Sequence, residues 1–421
     1  MVGESSQQPL TFNGNRFKIT NNCTVMVFYL TLWHRWKSLS KAEKVTVGIW
    51  LLVTILMVIK SITNPSNSTV SDEYLLGATR WLAKDDLYSG PVGFLYLPQF
   101  AFLYSVFTPF PLWASEALWR ITQLLVMLLG LVAFSRLMEK PGENSFVPLL
   151  TVAVICISTA SFRNGQANIM MLGLLLLSTV SLVHKQWNRS ALFMTLGLIV
   201  KPTFIVYYLL AGVLNRPLYW RLPVGLLAAL LIPMLFQGST YVLEQHQNFI
   251  VMLEQAVRYG ENGAKLTWAH FFAIFPQITG FSVSSEAQQL TRLVMALLTL
   301  ATAWYASRKY PRVMAGYYIY ALATCYLMLF NPRNETNDYA LLSVAIGYWI
   351  AVSKHRFHDL KYHIFCWFFV VGFVASKYIV MLTPGMWAWW KPVMGVFFTI
   401  FLLQRLFSQV EIGPVSKARY Y

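Results

Sequence analysis

Ser71-Asp-Glu-Tyr-Leu-Leu-Gly-Ala-Thr-Arg-Trp-Leu-Ala-Lys-Asp-Asp-Leu-Tyr88, continued by Phe94-Leu-Tyr-Leu-Pro98, follows directly on the first long apolar run of a 421-residue chain. It is therefore expected at a membrane surface. From Tyr74 the apolar residues fall at Leu75, Ala78, Trp81 and Leu82, one face of a helix, while Thr79, Arg80 and Lys84 take the other. The spacing predicts a helix lying flat at the interface, with Asp72 and Glu73 in its first turn. Acids there are favoured by the helix dipole, by ~0.3–1 kcal/mol, so the pair reads equally well as a structural feature or as chemistry. Asp85-Asp86, at the far end, reads as a turn cap before Tyr88.

Topology turns on Phe94–Phe110. If that segment crossed the membrane, Arg136, Lys140, Lys185 and Arg189 would lie outside. If it stays in the outer interface, the crossing is Ala114–Met138 and these loops fall inside, together with Arg216/Arg221, Arg308/Lys309/Arg312, Lys354/Arg356/Lys361 and Arg405/Lys417/Arg419. The second arrangement is adopted, with Phe94–Phe110, broken by Pro98 and Pro109, as a second juxtamembrane element. Further spans are expected near 146–162, 167–184, 190–214, 222–236, 288–306, 313–330, 340–353, 362–382 and 387–404. The 190–214 run is basic at both flanks with Lys201-Pro202 at its midpoint, which predicts two half-helices turning near the outer surface. The result is an all-α integral membrane bundle of about twelve segments with both termini cytoplasmic. Residues 1–44 form a cytoplasmic segment with an interfacial helix over 24–33. The transmembrane domain is 45–404, with a first outer loop over 63–113 and a large outer loop over 237–287, and the cytoplasmic tail is 405–421.

Composition agrees. The chain is 57% hydrophobic and 12% charged, which excludes a soluble domain of this length. Its net charge of +16 sits in short loops between apolar runs, the pattern of membrane topology and anionic lipid contact rather than of nucleic-acid binding. Four scattered cysteines give neither a metal spacing nor a disulfide framework. An apolar run beginning only at Val45 is expected to stay as an anchor.

On this map the remaining polar residues collect on the outer segments. Asp72 is the candidate general base, with Glu73 behind it, because a carboxylate at an apolar interface gains base strength by desolvation. Arg163-Asn-Gly-Gln-Ala-Asn168 reads as a tight turn with a snorkelling arginine, or as a phosphate clamp through Arg163 with Gln166 and Asn168 on substrate. Lys201 sits mid-run, where an unpaired lysine costs ~2.5–3.5 kcal/mol on insertion scales; a polar cavity or an anion must compensate it. Asn331-Pro-Arg-Asn-Glu-Thr-Asn-Asp-Tyr339 carries Arg333, Glu335 and Asp338, more charge than a bare turn requires. His246 and His270 lack metal-ligand spacing and read as loop histidines or substrate contacts. Trp268, Trp387, Trp389 and Trp390 read as belt aromatics or as platforms for a sugar ring. No metal and no cofactor are expected.

Several of these residues, in order, resemble the GT-C membrane glycosyltransferases, most closely glycosyltransferase family 87. They are an acid in the first outer loop followed by Tyr74, Gly-Ala-Thr-Arg-Trp-Leu-Ala before Asp86-Leu87-Tyr88, then Tyr96-Leu-Pro98, Trp119, Gly165-Gln166-Ala-Asn168 and Lys201-Pro202-Thr203. Two positions depart from the family pattern. Asp72 stands two residues before its tyrosine rather than about four, and Asp85-Asp86-Leu87-Tyr88 replaces Gly-Asp-Pro-Tyr. The resemblance implies an inverting transferase, mannosyltransferase-like, that moves a hexose or pentose from a polyprenyl-phosphate sugar to a lipid or glycan acceptor. It would act at the outer, periplasmic face of a bacterial inner (plasma) membrane, among membrane lipids. Asp72 would take the acceptor proton, Arg163, Lys201 and Arg333 would hold the leaving phosphate, and Tyr74 and Tyr96 would touch substrate. A transporter or flippase of a lipid-linked or anionic substrate is the alternative, since broken helices and a mid-membrane lysine are transporter signs too. Missing repeats and the gathering of polar groups at one face speak against it.

Overall fold

The computed structural model describes residues 37, 39–64, 70–89, 94–261, 268–382 and 386–408. The interfacial helix expected over 24–33 and most of the 405–421 tail lie outside the described residues. Among those described, every regular element is helical. The chain divides into two units, Met1–Leu51 and Leu52–Tyr421. In the first, helix α1 (Lys41–Thr63) begins on a reciprocal cap: the Ser40 amide donates to Glu43 Oε2 at 2.9 Å and the Glu43 amide to Ser40 Oγ at 3.2 Å. All that follows concerns the second unit.

Seven helical stretches are long and apolar enough to cross a membrane: Lys41–Thr63, Leu112–Met138, Val147–Asn164, Arg216–Leu235, Ser285–Lys309, Arg312–Phe330 and Ala388–Phe407. The segment that decides topology is not among them. Helix α3 (Pro98–Tyr104) is one short helix followed by a 3-10 turn over Ser105–Phe107. Seven residues span about 10 Å, a third of a hydrocarbon core. Before it, α2 (Ser71–Ala83) buries Tyr74, Gly77, Ala78 and Trp81; of the expected stripe Ala78 and Trp81 face inward, whereas Leu75 is half-buried and Leu82 exposed.

From α4 (Leu112–Met138) the chain returns through α5 (Val147–Asn164) to a turn at Gly165, and α6 (Asn168–Val183) leaves that turn again. Helix α7 (Trp187–Val200) comes back and stops at Lys201, whose backbone is extended (φ −151°, ψ 117°). The residue before a proline avoids helical geometry, and Pro202 supplies that constraint. After a 3-10 turn, α8 (Ile205–Leu214) runs back alongside. Arg221 donates to Asn188 Oδ1 at 2.7 Å, so the start of α7 and the chain after α8 meet at one end. The expected pair of half-helices is present.

Next come α9 (Arg221–Leu231), α10 (Ser239–Glu261), α11 (Ile274–Thr279), α12 (Ser285–Lys309), α13 (Arg312–Phe330), α14 (Ser343–Val352), α15 (Leu360–Leu382) and α16 (Met386–Phe407). The large loop expected over 237–287 is therefore mostly helical. Its α10 buries Val242, Gln245, Phe249 and Met252, a stripe spaced three, four and three residues apart. Buried at the centre, α13 exposes only Arg312 and leaves Tyr326 half-buried, and α14 is buried throughout. In contrast α12 buries only Ala303 and Ala306 and turns Leu290, Leu293, Leu297 and Leu298 outward. So much outward apolar surface is unfavourable in water and suits lipid. Helices α4 and α6 touch backbone to backbone: a Cβ at Gly173 would stand 2.5 Å from the Val126 carbonyl oxygen.

Candidate active site

Three turns meet at one end of this bundle: Gly165–Asn168, Lys201–Thr203 and Asn331–Asp338. The first is shaped by Gly165, whose φ of +64° favours glycine. Its carbonyl accepts from Trp119 Nε1 at 2.9 Å and Gln123 Nε2 at 3.0 Å, so α4 clamps the turn. Asn168 Nδ2 then donates to Asp338 Oδ1 at 2.7 Å and to Gln166 Oε1 at 3.1 Å, and Gln166 Nε2 donates to Glu335 Oε2 at 2.8 Å.

Lys201 completes the network. Its Nζ donates to Asp338 Oδ1 and to Asn168 Oδ1, both at 2.6 Å. The lysine keeps 18% of its side chain exposed and Asp338 only 4%. An ammonium carries three protons, so one remains for a ligand. Asp338 is more fully engaged: Oδ1 takes Lys201 and Asn168, and Oδ2 takes the Glu335 amide at 3.0 Å. It is a holding group. Glu335 differs, because Oε1 has no hydrogen-bond partner among the described residues. Burial, then the neighbouring Asp338 charge, pushes the Glu335 carboxyl above its usual range, against the pull of Lys201, Gln166 and Arg333.

Lys201, Glu335 and Asp338 line a cavity of about 170 Å³ with Tyr96, Trp268 and Arg333, and Gln166 and Asn168 stand behind them. The Arg333 guanidinium lies over the Trp268 ring, 4.7 Å from its centroid, and forms no ion pair among the described residues. It is the cation best placed to meet an anion entering the cavity. Tyr96 is tied to Tyr74 by a 2.8 Å hydroxyl pair, and the Tyr74 hydroxyl also accepts from the Ala167 amide at 3.2 Å. Burial pushes both phenols well up, so they stay protonated. Tyr74 is in turn packed edge-on by Tyr96, Phe100, Tyr104 and Trp119, at centroid distances of 4.9 to 5.8 Å.

The structure thus brings together Tyr96, Gln166, Asn168, Lys201, Arg333, Glu335 and Asp338, with Tyr74 behind them. It does not bring Asp72, Glu73 or Arg163 to the cavity wall. Those three form a neighbouring group. The Val70 amide donates to the Asn164 carbonyl at 3.0 Å, and Lys60 Nζ to the Arg163 carbonyl at 3.1 Å; Asp72 acts electrostatically on that lysine. Arg163 is exposed and its Nε donates to Asn164 Oδ1 at 3.2 Å; Asp72 and Glu73 are half-buried. Beneath them is a buried pair that sequence reasoning missed. Arg120 meets Glu116 at 2.6 Å, and Glu116 accepts from Ser71 Oγ at 2.9 Å, tying α2 to α4.

The histidines stand apart from the cavity. His246 pairs with Gln99 at 2.7 Å and, through Nδ1, with the Val242 carbonyl at 2.7 Å. His270 is largely buried, and burial, with Arg292 nearby, pushes its pKa down to about 4. Lys391 is a second omission. Its Nζ donates to the Thr336 carbonyl at 2.7 Å, under the Glu335–Asp338 loop. It precedes Pro392 in an apolar run, the same Lys-Pro signal as Lys201-Pro202.

A comparison with known protein families matches residues 94–332, more than half of the chain, to glycosyltransferase family 87. The chain belongs to that family. No curated protein matches it. A family 87 chain with these apolar helices is a membrane glycosyltransferase and a multi-pass membrane protein, with a sugar donor and an acceptor as its partners. Membership favours the transferase over the transporter alternative. The matched segment holds Tyr96, Gln166, Asn168 and Lys201, whereas Asp72 lies before it and Arg333, Glu335 and Asp338 just beyond it.

Proposed function

We propose that the chain transfers a hexose or pentose, mannose among them, from a polyprenyl-phosphate donor to a lipid or glycan acceptor, with inversion at the anomeric carbon. The observation that carries this reading is the cavity of about 170 Å³ with two cations and a half-satisfied carboxylate on one wall. The donor phosphate sits between Arg333 and the remaining Lys201 proton. An acceptor hydroxyl attacks the anomeric carbon as the bond to the phosphate oxygen breaks. Its proton goes to Glu335 Oε1, and the phosphate leaves with its charge met by the two cations. Trp268, already stacked on Arg333, offers a flat face to the sugar. The cations take the place of a divalent ion at the phosphate, so turnover is expected to persist in excess chelator.

A second reading of the base is favoured by a different observation. Asp72 stands in the first turn of α2, half-buried beside Lys60 and the Arg163 turn, and would serve if the acceptor enters from that side. The juxtamembrane placement of α2 and α3, a bundle of about twelve segments and a site on the periplasmic face of a bacterial inner membrane belong to the same proposal. The basic residues of the connections at the other end, Arg136, Lys140, Lys185, Arg189, Arg216, Arg308, Arg312 and Arg356, support that orientation.

Purified protein with radiolabelled polyprenyl-phosphate sugars and a lipid extract tests it. Glu335→Gln is expected to lower the rate about 10²–10⁴-fold and to remove the acid limb of the pH profile; Arg333→Met should cost about 10²–10³-fold. If Asp72→Asn abolishes transfer while Glu335→Gln leaves it intact, the base is Asp72. Full activity in Arg333→Met would refute the phosphate site.

A further inference from the structure

Helices α6, α8 and α13 each have one end at the candidate site and the other at a second, larger cavity of about 650 Å³. Leu182 and Val183 close α6 there, Val213 and Leu214 close α8, and Arg312 opens α13. At 1.5 Å per residue, the α13 residues on this cavity, Arg312 to Ile319, lie about 18–28 Å along the helix axis from the Asn331 loop, most of one hydrocarbon thickness. They face opposite surfaces.

Three arginines from two connections converge on this groove, Arg216 after α8, and Arg308 and Arg312 on either side of the short link from α12 to α13. No acidic residue lines it, and among the described residues none of the three forms an ion pair. Arg356, at the same end, is by contrast nearly buried and bidentate to Glu143 at 2.9 and 3.0 Å, whereas Arg216, Arg308 and Arg312 are exposed at the rim of the groove. Three like charges around one depression repel unless an anion sits between them. No side chain caps the first turn of α13, so its positive end adds to the same field. Below the guanidinium groups the floor is apolar, Ile319 and Val183, and Trp304 and Tyr219 stand on the walls. This is the composition of a headgroup site: charge above, aromatic collar, hydrocarbon beneath.

We propose that this groove is a second anion site, which takes a phosphate monoester or diester through Arg216, Arg308 and Arg312. The phosphate is either carried by an anionic phospholipid or free in solution, and the two sources are separable. The site stands independently of the transfer chemistry at the opposite surface.

Native mass spectrometry of the full-length protein in detergent, titrated with phosphatidylglycerol, phosphatidylcholine or inorganic pyrophosphate, tests the proposal. Phosphatidylglycerol is expected to bind better than phosphatidylcholine, and each Arg→Gln change should weaken it about fivefold, the worth of one basic residue near an anionic surface. Arg→Lys variants should lose less. Pyrophosphate displacing the lipid, with both lost in R216Q/R308Q/R312Q, would identify the soluble source. Lipid retention unchanged in the triple variant, or phosphatidylcholine binding as tightly as phosphatidylglycerol, overturns the site. If the triple variant aggregates, the three single variants decide by the same criterion.

Discussion

Asp338 and Lys201 show how one residue is held by its neighbours' unused capacity. A lysine in an apolar run needs an anion, and Asp338, with both oxygens occupied, supplies it. Lys201→Met is expected to destabilise the protein by about 3 kcal/mol, the low end for a broken buried pair because the lysine keeps some water. A thermal melt in detergent reads this as a lowered Tm, and Lys201→Met/Asp338→Asn together should recover part of the loss. A second prediction concerns His270. Its pKa is about 4 in the folded protein against about 6.5 unfolded. As pH falls below 6.5 the unfolded chain takes a proton that the folded one refuses, so stability drops until about pH 4. The loss amounts to ~3 kcal/mol. His270→Gln should flatten the melting temperature between these values, and an unchanged slope would remove the histidine from the account. At this scale the sequence is partly legible. Lys201 stands out because charge in an apolar run has few explanations, and Lys391 carries the same Lys-Pro mark. Glu116 and Arg120 do not stand out: spaced four apart, they look like any surface pair, and only the fold shows that both are buried under Ser71.

Among the elements, the break between α7 and α8 and the turn at Gly165 build the site. Pro202→Ala removes the constraint that keeps Lys201 extended, so α7 is expected to continue through it and draw the ammonium from Asp338. Transfer should fall at least tenfold while the protein still elutes as a folded species, and wild-type activity would count against the break as a positioning device. At Gly165 an alanine meets an unfavourable left-handed backbone, about 1–2 kcal/mol, and its Cβ would lie 3.1 Å from Ser71 Oγ and 3.2 Å from Arg120 Cζ. Gly165→Ala should therefore lower both Tm and activity, because the displaced turn carries Gln166 and Asn168. Helix breaks and turns were legible because proline and Asn-Gly act locally. The helix over Ser239–Glu261 was not: its buried stripe includes Gln245, whose Oε1 accepts from the Leu87 amide at 2.9 Å. A polar residue on a buried face erases the periodicity on which sequence reading depends.

For the whole molecule, connectivity settles more than any single contact. Helices α5 and α6 meet at the Gly165 turn, and α13 leads directly into the Asn331–Asp338 loop. Tracing each helix away from these points carries Arg136, Lys140, Lys185, Arg189, Arg216, Arg308, Arg312 and Arg356 to the opposite end. The bidentate Arg356–Glu143 pair joins two of those connections directly. Such segregation is the charge bias that orients membrane proteins, and it supports the proposed placement of the candidate site on the non-cytosolic surface. Cysteine labelling checks this across one helix. With the native cysteines replaced, Thr336→Cys at the site end of α13 is expected to react with a membrane-impermeant maleimide added to intact cells. Ser307→Cys, just before the other end, should react only after permeabilisation. Reaction of both from the same side would mean that Arg312–Phe330 does not cross, and the two cavities would no longer belong to opposite surfaces. Reaction with the sides exchanged would keep the crossing and invert the orientation, moving the transfer chemistry to the cytosol, where the donor would have to be presented from the inner leaflet.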